Sequence, residues 1–230
     1  MERTEAQRLV DRHTRWFQKF EVFPGIMTPG VHDPSGILSA LALPEHMDGK
    51  TVLDIGAADG FFTKTLDSRG ANVIAMDYAA KDFYGFAVTE ALHGRALRHV
   101  NANLYDVEKQ GFQPFDYVLC FGVLYHLPDM LRALWAIRPY VKGELFLETY
   151  VSRKHEDEPV AEYLPNFSCN NDYTNFWAPN PLCVKEMLMD AGFSIADSTV
   201  SGERALFRAT PNLDKYATKK ISVAYSFLEP

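Results

Sequence analysis

The chain has 230 residues, of which 47% are hydrophobic, 13% aromatic and 23% charged, the composition of a globular protein with a full core. No apolar run approaches the roughly 18 residues of a membrane helix, which argues against a spanning segment. The net charge of −7 argues against nucleic acid as the default partner, because lysine and arginine must neutralise the phosphates of a polyanion.

The N-terminus and the cysteines predict a cytoplasmic protein. Residues 1–5 carry no apolar stretch of the kind that a secretory signal needs. Cys120, Cys169 and Cys183 are an odd number without metal-binding spacing, which argues against a disulfide framework and a structural zinc. The sequence leaves the oligomeric state open.

The first predicted element is an amphipathic helix over residues 3–20, where apolar residues recur at helical spacing. Prolines and glycines then mark a loop-rich approach to residue 36. From Lys50 onward, short apolar runs alternate with helical lengths. The strand candidates are Thr51–Ile55, Asn72–Met76, Leu97–Asn101, Phe115–Phe121, Glu144–Tyr150, Phe193–Ser198 and Arg204–Ala209. The helix candidates are Gly60–Ser68, Lys81–Leu92, Pro128–Arg138 and Pro181–Ala191.

This alternation predicts an α/β fold, a Rossmann-like doubly wound sheet of seven mostly parallel strands. Residues 200–203 are too few for a parallel crossover, so the last strand should be antiparallel. We divide the chain into an N-terminal helix and lid segment (1–49), the cofactor-binding half of the domain (50–150), an acceptor-side insertion (151–180), and the C-terminal half of the sheet with a tail (181–230).

The segment from Thr51 to Phe62 reads as a buried strand, a turn of small residues and the start of a helix. Gly56 and Gly60 allow a sharp turn and let a ligand reach main-chain amides. Asp77 ends the next strand, where a carboxylate can accept hydrogen bonds from ribose hydroxyls. These features alone fit a dinucleotide site or an ordinary strand–helix turn nearly as well.

Five further features of the sequence are the segments Val52–Gly56, Phe115–Val118, Gly122–His126, Glu144–Thr149 and Ala191–Phe193. Together these segments resemble the class I methyltransferases that use S-adenosylmethionine, over about residues 50–209. The chain looks like the branch that contains the tRNA wobble-uridine carboxymethyltransferase and its small-molecule relatives. Ala58 stands where many members have glycine, which narrows the loop without excluding the cofactor.

The resemblance implies S-adenosylmethionine as the cofactor, with contacts from Asp54, Gly56, Ala57, Gly60, Asp77, Tyr78, Asn103, Leu104, Phe121 and Gly122. The main chain of Gly56, Ala57 and Gly60 would contact the methionine part, with Asp54 near its amino group. Asp77 would hold the ribose.

The resemblance also assigns the residues around the adenine and the sulfonium. Tyr78 and Leu104 would flank the adenine, and Asn103 would meet its edge. Phe121 and Gly122 would offer main-chain contacts beside the sulfonium.

The transferred group is implied by the same resemblance. Tyr125 matches the tyrosine that touches this group in the carboxymethyl-transferring relative, and Lys19 lies near the position of its lysine for the extra carboxylate. We identify neither Arg204 nor Arg208 as a C-terminal arginine partner, so plain methyl transfer is favoured.

His126 is the leading candidate for a general base, because imidazole titrates near neutral pH and this residue follows the fourth strand. A structural histidine bound to backbone is the alternative. His32 with Asp33 is the second candidate for a base, against solvated loop residues. His155–Glu158 offers hard ligands for magnesium, but a solvated loop is the favoured interpretation, and we predict no metal.

The acceptor site is predicted from the stretch Asn170–Asn180, whose amides and aromatic rings would wall a pocket, although a hydrophobic plug over the sheet is the alternative. The predicted substrate contacts are Lys19, His32, Tyr125, Tyr173, Asn175 and Trp177.

Three functions remain open at this point. The first is a methyltransferase that acts on a small molecule, at oxygen, in a biosynthetic pathway. The second is a tRNA wobble-uridine methyltransferase, which needs a basic face that only the first helix offers. The third is a cofactor-binding regulatory partner without turnover.

Overall fold

The computed structural model describes residues 1–212, which form two compact units, one from Met1 to Asn103 and one from Leu104 onward. The elements of the first unit are α1 (Arg3–Arg12), β1 (Glu21–Phe23), β2 (Ile26–Met27), α2 (Ser35–Ala40), β3 (Thr51–Ile55), α3 (Phe61–Ser68), β4 (Asn72–Asp77), α4 (Phe86–His93) and β5 (Arg98–Asn101). The first unit thus contains three of the predicted strands and the helices that follow two of them.

The elements of the second unit include three short 3₁₀ helices, Leu104–Gln110, Leu124–His126 and Arg138–Tyr140. Its other elements are β6 (Phe115–Phe121), α5 (Met130–Ile137), β7 (Val141–Tyr150), β8 (Ala161–Tyr163), β9 (Trp177–Pro179), α6 (Pro181–Asp190), β10 (Phe193–Ser201) and β11 (Arg204–Pro211). The predicted tail beyond residue 212 lies outside the described residues.

The main sheet confirms the predicted fold class. Within residues 1–212, seven strands follow the order β10-β11-β7-β6-β3-β4-β5. The last strand, β11, runs antiparallel to both β10 and β7, whereas the pairs β3–β4, β4–β5 and β6–β7 are parallel. This is the mostly parallel Rossmann-like sheet with an antiparallel last strand that the sequence predicts.

The prediction of a helix over residues 3–20 is wrong in its second half, because α1 ends at Arg12. The main-chain amides of Phe17 and Gln18 donate to Oδ2 of Asp59 at 2.8 and 2.5 Å. Asp59 is fully buried, and its Oδ1 accepts the amide of Gly85 at 2.7 Å. Amides held by a distant carboxylate are not available to helix carbonyls, so this segment leaves the helical path.

The inserted segment 151–180 contains a short antiparallel pair that the sequence did not predict. Strand β8 pairs with β9, with Ala161 opposite Pro179 and Tyr163 opposite Trp177. The stretch His155–Glu158 is exposed, and Glu156 forms an ion pair with Arg153. No group of three or more metal-ligating side chains is found within residues 1–212. Over the same range, no helix has the length and apolarity to cross a membrane.

Candidate active site

The loop between β3 and α3 makes a tight turn in the first unit. Gly56 and Gly60 have φ angles of +77° and +85°, in the left-handed region that favours glycine. A Cβ atom on Gly60 would lie 2.9 Å from the ring of Phe86, so a side chain there would displace that ring. Ala58 also has a positive φ, of +48°. The turn leads directly into the N-terminus of α3, where the Phe61 amide donates to Oε1 of Gln18 at 3.3 Å.

Asp77, the last residue of β4, is held by this loop. Its Oδ2 accepts the amide of Ala58 and its Oδ1 the amide of Ala79, both at 2.9 Å. The side chain is buried, and burial raises the pKa of this carboxyl, while the amides oppose the rise. A carboxylate has about four acceptor positions, so Asp77 can accept further hydrogen bonds from a ligand.

Asp54 lies near Asp77 in the interior of the first unit. It is 2% exposed, and the Thr63 hydroxyl donates to its Oδ2 at 2.6 Å. Burial raises the pKa of Asp54 to about 6, and the neighbouring Asp77 carboxylate adds to the increase. A cationic group would favour the ionised form of Asp54, so this position suits a positively charged ligand group.

The segment after β4 and β5 carries the predicted adenine contacts. Tyr78 is 69% exposed, and its hydroxyl lies 3.3 Å from that of Tyr84. The amide of Asn101 donates from Nδ2 to the Tyr78 carbonyl at 2.7 Å, which fixes the main chain there. Asn103 is exposed at the end of the first unit, and Leu104 is buried at the start of the second.

Lys19 and His32 belong to the N-terminal segment of the first unit and lie side by side. The Lys19 amide donates to the His32 carbonyl at 2.7 Å. Hydrogen bonds from Ser35 lower the pKa of the neighbouring Asp33, and the charge of the exposed Lys19 side chain adds a smaller decrease. The His32 ring stacks on Phe17 at 5.2 Å between centroids. The two predicted substrate contacts are therefore brought together.

In the second unit, the end of β6 leads into a cluster that contains an ion pair with a buried carboxylate. The amide of Gly122 donates to the carbonyl and to Oε2 of Glu148, at 3.0 and 3.1 Å. Glu148 on β7 is 4% exposed and binds the guanidinium of Arg204 on β11 through two hydrogen bonds, one of them Nη2–Oε2 at 2.6 Å.

Arg204 is a residue to which the sequence analysis assigned no role. Its Cζ lies 5.0 Å from the centroid of the Tyr125 ring. Burial raises the pKa of the Tyr125 hydroxyl, whereas the charge of Arg204 and a hydrogen bond from it act in the opposite direction. The sequence analysis did not assign Arg204 or Arg208 as a partner for an extra carboxylate. The structure brings the Arg204 guanidinium beside Tyr125, whereas Arg208 pairs with Glu144.

His126 lies beside Tyr125, with 4.1 Å between the ring centroids. Its Nδ1 lies 3.1 Å from the carbonyl oxygen and 3.0 Å from the hydroxyl oxygen of Thr174. Burial lowers the pKa of His126, and Asp172 partly offsets this effect. The neutral imidazole is thus the favoured form at neutral pH, as a general base requires.

The predicted acceptor residues of the inserted segment differ in their exposure. The Trp177 indole donates from Nε1 to the Pro128 carbonyl at 3.0 Å, and Tyr173 is 70% exposed. Asn175 is 4% exposed, and its Nδ2 donates to the Cys169 carbonyl at 3.1 Å. Its Oδ1 is buried without a hydrogen-bond partner among residues 1–212. A donor from a ligand would relieve that unsatisfied oxygen.

Comparison with known proteins identifies the family. The family model for the methyltransferase domain matches residues 33–198. The chain belongs to this family. It is 28% identical to the ubiquinone biosynthesis O-methyltransferase of Paraburkholderia xenovorans over 191 residues, which cover 77% of this chain and 78% of that protein. It is also 28% identical to the tRNA U34 carboxymethyltransferase of Campylobacter lari over 154 residues, 65% of this chain. The chain spans about half the length of these tRNA U34 carboxymethyltransferases, 51% in that case.

Solved structures show the same methyltransferase fold. The N-terminal domain of EvdMO1 with SAH bound has a TM-score of 0.68 at 20% identity, covering 93% of this chain and 98% of that one. The 1,6-didemethyltoxoflavin-N1-methyltransferase of Burkholderia thailandensis has a TM-score of 0.60 at 21% identity, covering 78% and 76%. The predicted membership of the class I methyltransferases, with S-adenosylmethionine as the cofactor, is confirmed.

The first unit of this methyltransferase domain fits that cofactor. Asp77 has acceptor positions for ribose hydroxyls, and the buried Asp54 carboxylate is complementary to the amino group. We expect cofactor affinity to fall when Asp77 is replaced by alanine, by about 1–3 kcal/mol, the scale of lost hydrogen bonds to a charged group. Isothermal titration with S-adenosylhomocysteine measures this change.

The matched control is Asp82→Ala, which removes an exposed carboxylate from the same unit. It should bind the cofactor like the wild type, and circular dichroism checks that both variants are folded. Equal affinity of Asp77→Ala and wild type would exclude Asp77 as the ribose contact.

Proposed function

We propose that this protein transfers the methyl group of S-adenosylmethionine to a hydroxyl oxygen of a small-molecule acceptor in a biosynthetic pathway. The observation that carries the proposal is the setting of His126, a half-buried histidine whose Nδ1 faces two oxygens of Thr174. This arrangement leaves Nε2 as the basic nitrogen. A proton acceptor is needed when the methyl group goes to a hydroxyl.

The chemistry requires little from the protein beyond alignment and removal of one proton. The bound cofactor would supply a methyl group activated by its positive sulfur. The sulfur would keep the electron pair of the broken C–S bond as the acceptor oxygen takes the methyl carbon. His126 takes the acceptor's proton on Nε2. Tyr125 packs against His126 and, in this proposal, lines the path of the transferred group.

The cofactor contacts follow the assignments made from the sequence. Asp54, Gly56, Ala57, Gly60 and Asp77 would hold the methionine and ribose parts. The remaining proposed contacts, around adenine and sulfonium, are Tyr78, Asn103, Leu104, Phe121 and Gly122.

The acceptor would be bound by aromatic and amide groups. Trp177 and Tyr173 offer ring surfaces, and the unsatisfied Oδ1 of Asn175 offers an acceptor for a ligand hydroxyl. Lys19 and His32 are proposed as further substrate contacts. The ubiquinone biosynthesis O-methyltransferase relative, which aligns over most of its length, supports a small-molecule acceptor.

Transfer of a carboxymethyl group to a tRNA wobble uridine is the second candidate function. The position of Arg204 beside Tyr125 favours it, because a guanidinium there would attract an extra carboxylate on the transferred group. The ion pair with Glu148 weighs against it, since an added carboxylate would compete with Glu148 for the same charge. The net charge of −7 also opposes binding of a polyanion.

One transfer experiment separates these functions. The purified protein is incubated with S-adenosylmethionine, or with its analogue that carries a carboxylate on the transferred methyl, and with either phenolic small molecules or total tRNA. We expect methyl transfer to the small molecules, seen as a mass shift of the product. Modification of an anticodon uridine would instead establish the second candidate, and cofactor binding without any transfer would indicate a regulatory partner.

Trp177 provides a test of the acceptor wall. We expect Trp177→Ala to raise the acceptor's KM while cofactor affinity stays nearly unchanged, because the variant removes ring surface from the acceptor side only. Steady-state kinetics and cofactor titration measure the two quantities. The control Trp177→Phe keeps an aromatic ring and should stay closer to wild type. An unchanged KM in Trp177→Ala would place the acceptor elsewhere.

A further inference from the structure

We propose that Asp172 and Thr174 are positioning residues that hold His126 in its Nδ1–H tautomer and make Nε2 the base for a hydroxyl acceptor. The inference rests on the proposed function for its catalytic part. The three side chains form a chain of hydrogen bonds within the second unit, from carboxylate to hydroxyl to imidazole.

The direction of each hydrogen bond follows from the number of protons that each group can donate. The Thr174 hydroxyl donates its one proton to Oδ1 of Asp172 at 2.6 Å. The Thr174 amide donates to the same oxygen at 2.8 Å, which fixes the residue's orientation. Having given its proton to Asp172, the hydroxyl can only accept from His126.

The second partner of Nδ1 leads to the same tautomer. The Thr174 carbonyl, 3.1 Å from Nδ1, has no proton and is an acceptor only. Both oxygens near Nδ1 are therefore acceptors, and Nδ1 must carry the hydrogen. In the neutral imidazole, Nε2 is then unprotonated.

The charges around His126 suit a base that must gain and lose a proton. The charged groups that face it are Asp172 of the inserted segment and Arg204 of β11, which is paired with Glu148 of β7. Burial lowers the pKa of His126 and keeps the resting ring neutral, while the carboxylate of Asp172 favours the imidazolium formed on proton uptake. The same logic applies in catalytic triads, where a carboxylate orients a histidine and stabilises its cation.

The arrangement selects a substrate class. A base contributes to the reaction only if the acceptor loses a proton as it is methylated, which holds for phenol, enol and alcohol oxygens. The acceptor's O–H proton moves to Nε2, and its oxygen forms the bond to the methyl carbon. An amine with a free lone pair would gain nothing from Asp172 and Thr174 at the bond-forming step.

The tautomer can be tested without any acceptor. Side-chain ¹⁵N chemical shifts of His126 in the full-length protein should show a protonated Nδ1 and an unprotonated Nε2. Asp172→Asn should lower the pKa of His126 in an NMR titration, because the variant keeps the hydrogen-bond acceptor and removes the charge. Thr174→Val should also lower this pKa, whereas Thr174→Ser should retain the wild-type titration. An Nε2–H tautomer, or an unchanged titration in Asp172→Asn, would overturn the proposal.

The catalytic part is tested by the dependence of kcat on pH with a hydroxyl acceptor. Activity should rise as His126 deprotonates, so a lower pKa in Asp172→Asn shifts the acidic limb to lower pH. The plateau kcat should fall by at least about tenfold, and by no more than the 10²–10⁴-fold that a general base contributes. Asp157→Asn, which changes an exposed carboxylate of the same segment, should leave the acidic limb and the plateau kcat unchanged.

The two proposals fail in distinguishable ways. If no hydroxyl acceptor is methylated, the proposed function fails while the NMR results still decide the positioning role. If methylation occurs and the profile of Asp172→Asn matches wild type, the positioning role fails and the function stands.

Discussion

Replacing His126 with alanine should lower kcat by roughly 10²–10⁴-fold at neutral pH, the range that a general base contributes to proton transfer. The loss should appear in kcat more than in KM, because the imidazole acts on a proton that moves only in the transition state. Cofactor affinity should stay at the wild-type value. Steady-state kinetics with a hydroxyl acceptor, together with titration of S-adenosylhomocysteine, measure these effects.

The control for this variant is His46→Ala, which removes an exposed histidine of the first unit. It should leave kcat unchanged. A decrease of less than about tenfold in His126→Ala would make His126 a structural histidine. The acceptor would then be ionised before binding, or would be an amine.

Replacing Arg204 with methionine should lower the free energy of unfolding by about 2–3 kcal/mol, since it leaves the buried Glu148 carboxylate without its partner. The value lies below the 3–5 kcal/mol of fully buried pairs, because the Arg204 side chain is 35% exposed and water screens part of the charge. Denaturant unfolding, followed by circular dichroism, measures the change.

The same strand offers a matched control, Arg208→Met. Arg208 pairs with Glu144, but these side chains are 47% and 21% exposed, so the cost should be about 1 kcal/mol or less. The double variant Arg204→Met with Glu148→Met should recover much of the lost stability, because it removes the unpaired charge. Equal destabilisation by the two single arginine variants would mean that burial of Glu148 does not determine the effect.

The local pattern of apolar residues and glycines in the sequence was enough to predict the strand and the helix on either side of the loop between β3 and α3. Apolar runs of strand length are visible in the sequence because strands of a parallel sheet are buried on both faces. Gly56 and Gly60 were recognised because a positive φ favours glycine, and Asp77 because it ends a strand. These are properties of single segments.

The features that could not be predicted depend on contacts between distant segments. Arg204 meets Glu148 because β11 pairs with β7 in a register that sets Leu206 opposite Glu148 and Arg204 opposite Tyr150. Thr174 meets His126 across 48 positions of the chain. The early end of α1 has the same origin, since Asp59 takes amides from Phe17 and Gln18. No periodicity in the sequence encodes such pairings.

The position of Asp59 limits how this protein can be recombined with its relatives. The family match begins at residue 33, so residues 1–32 are the part that a chimera with another family member would exchange. Phe17 and Gln18 of that part donate their amides to the carboxylate of Asp59, in the loop between β3 and α3. The same carboxylate also accepts the amide of Gly85, just before α4. A chimera that brings a new N-terminal segment must therefore place two main-chain amides against Asp59, or this buried carboxylate will lose two of its three main-chain donors. The N-terminal segment can be exchanged alone only if its replacement offers the same two donors to Asp59.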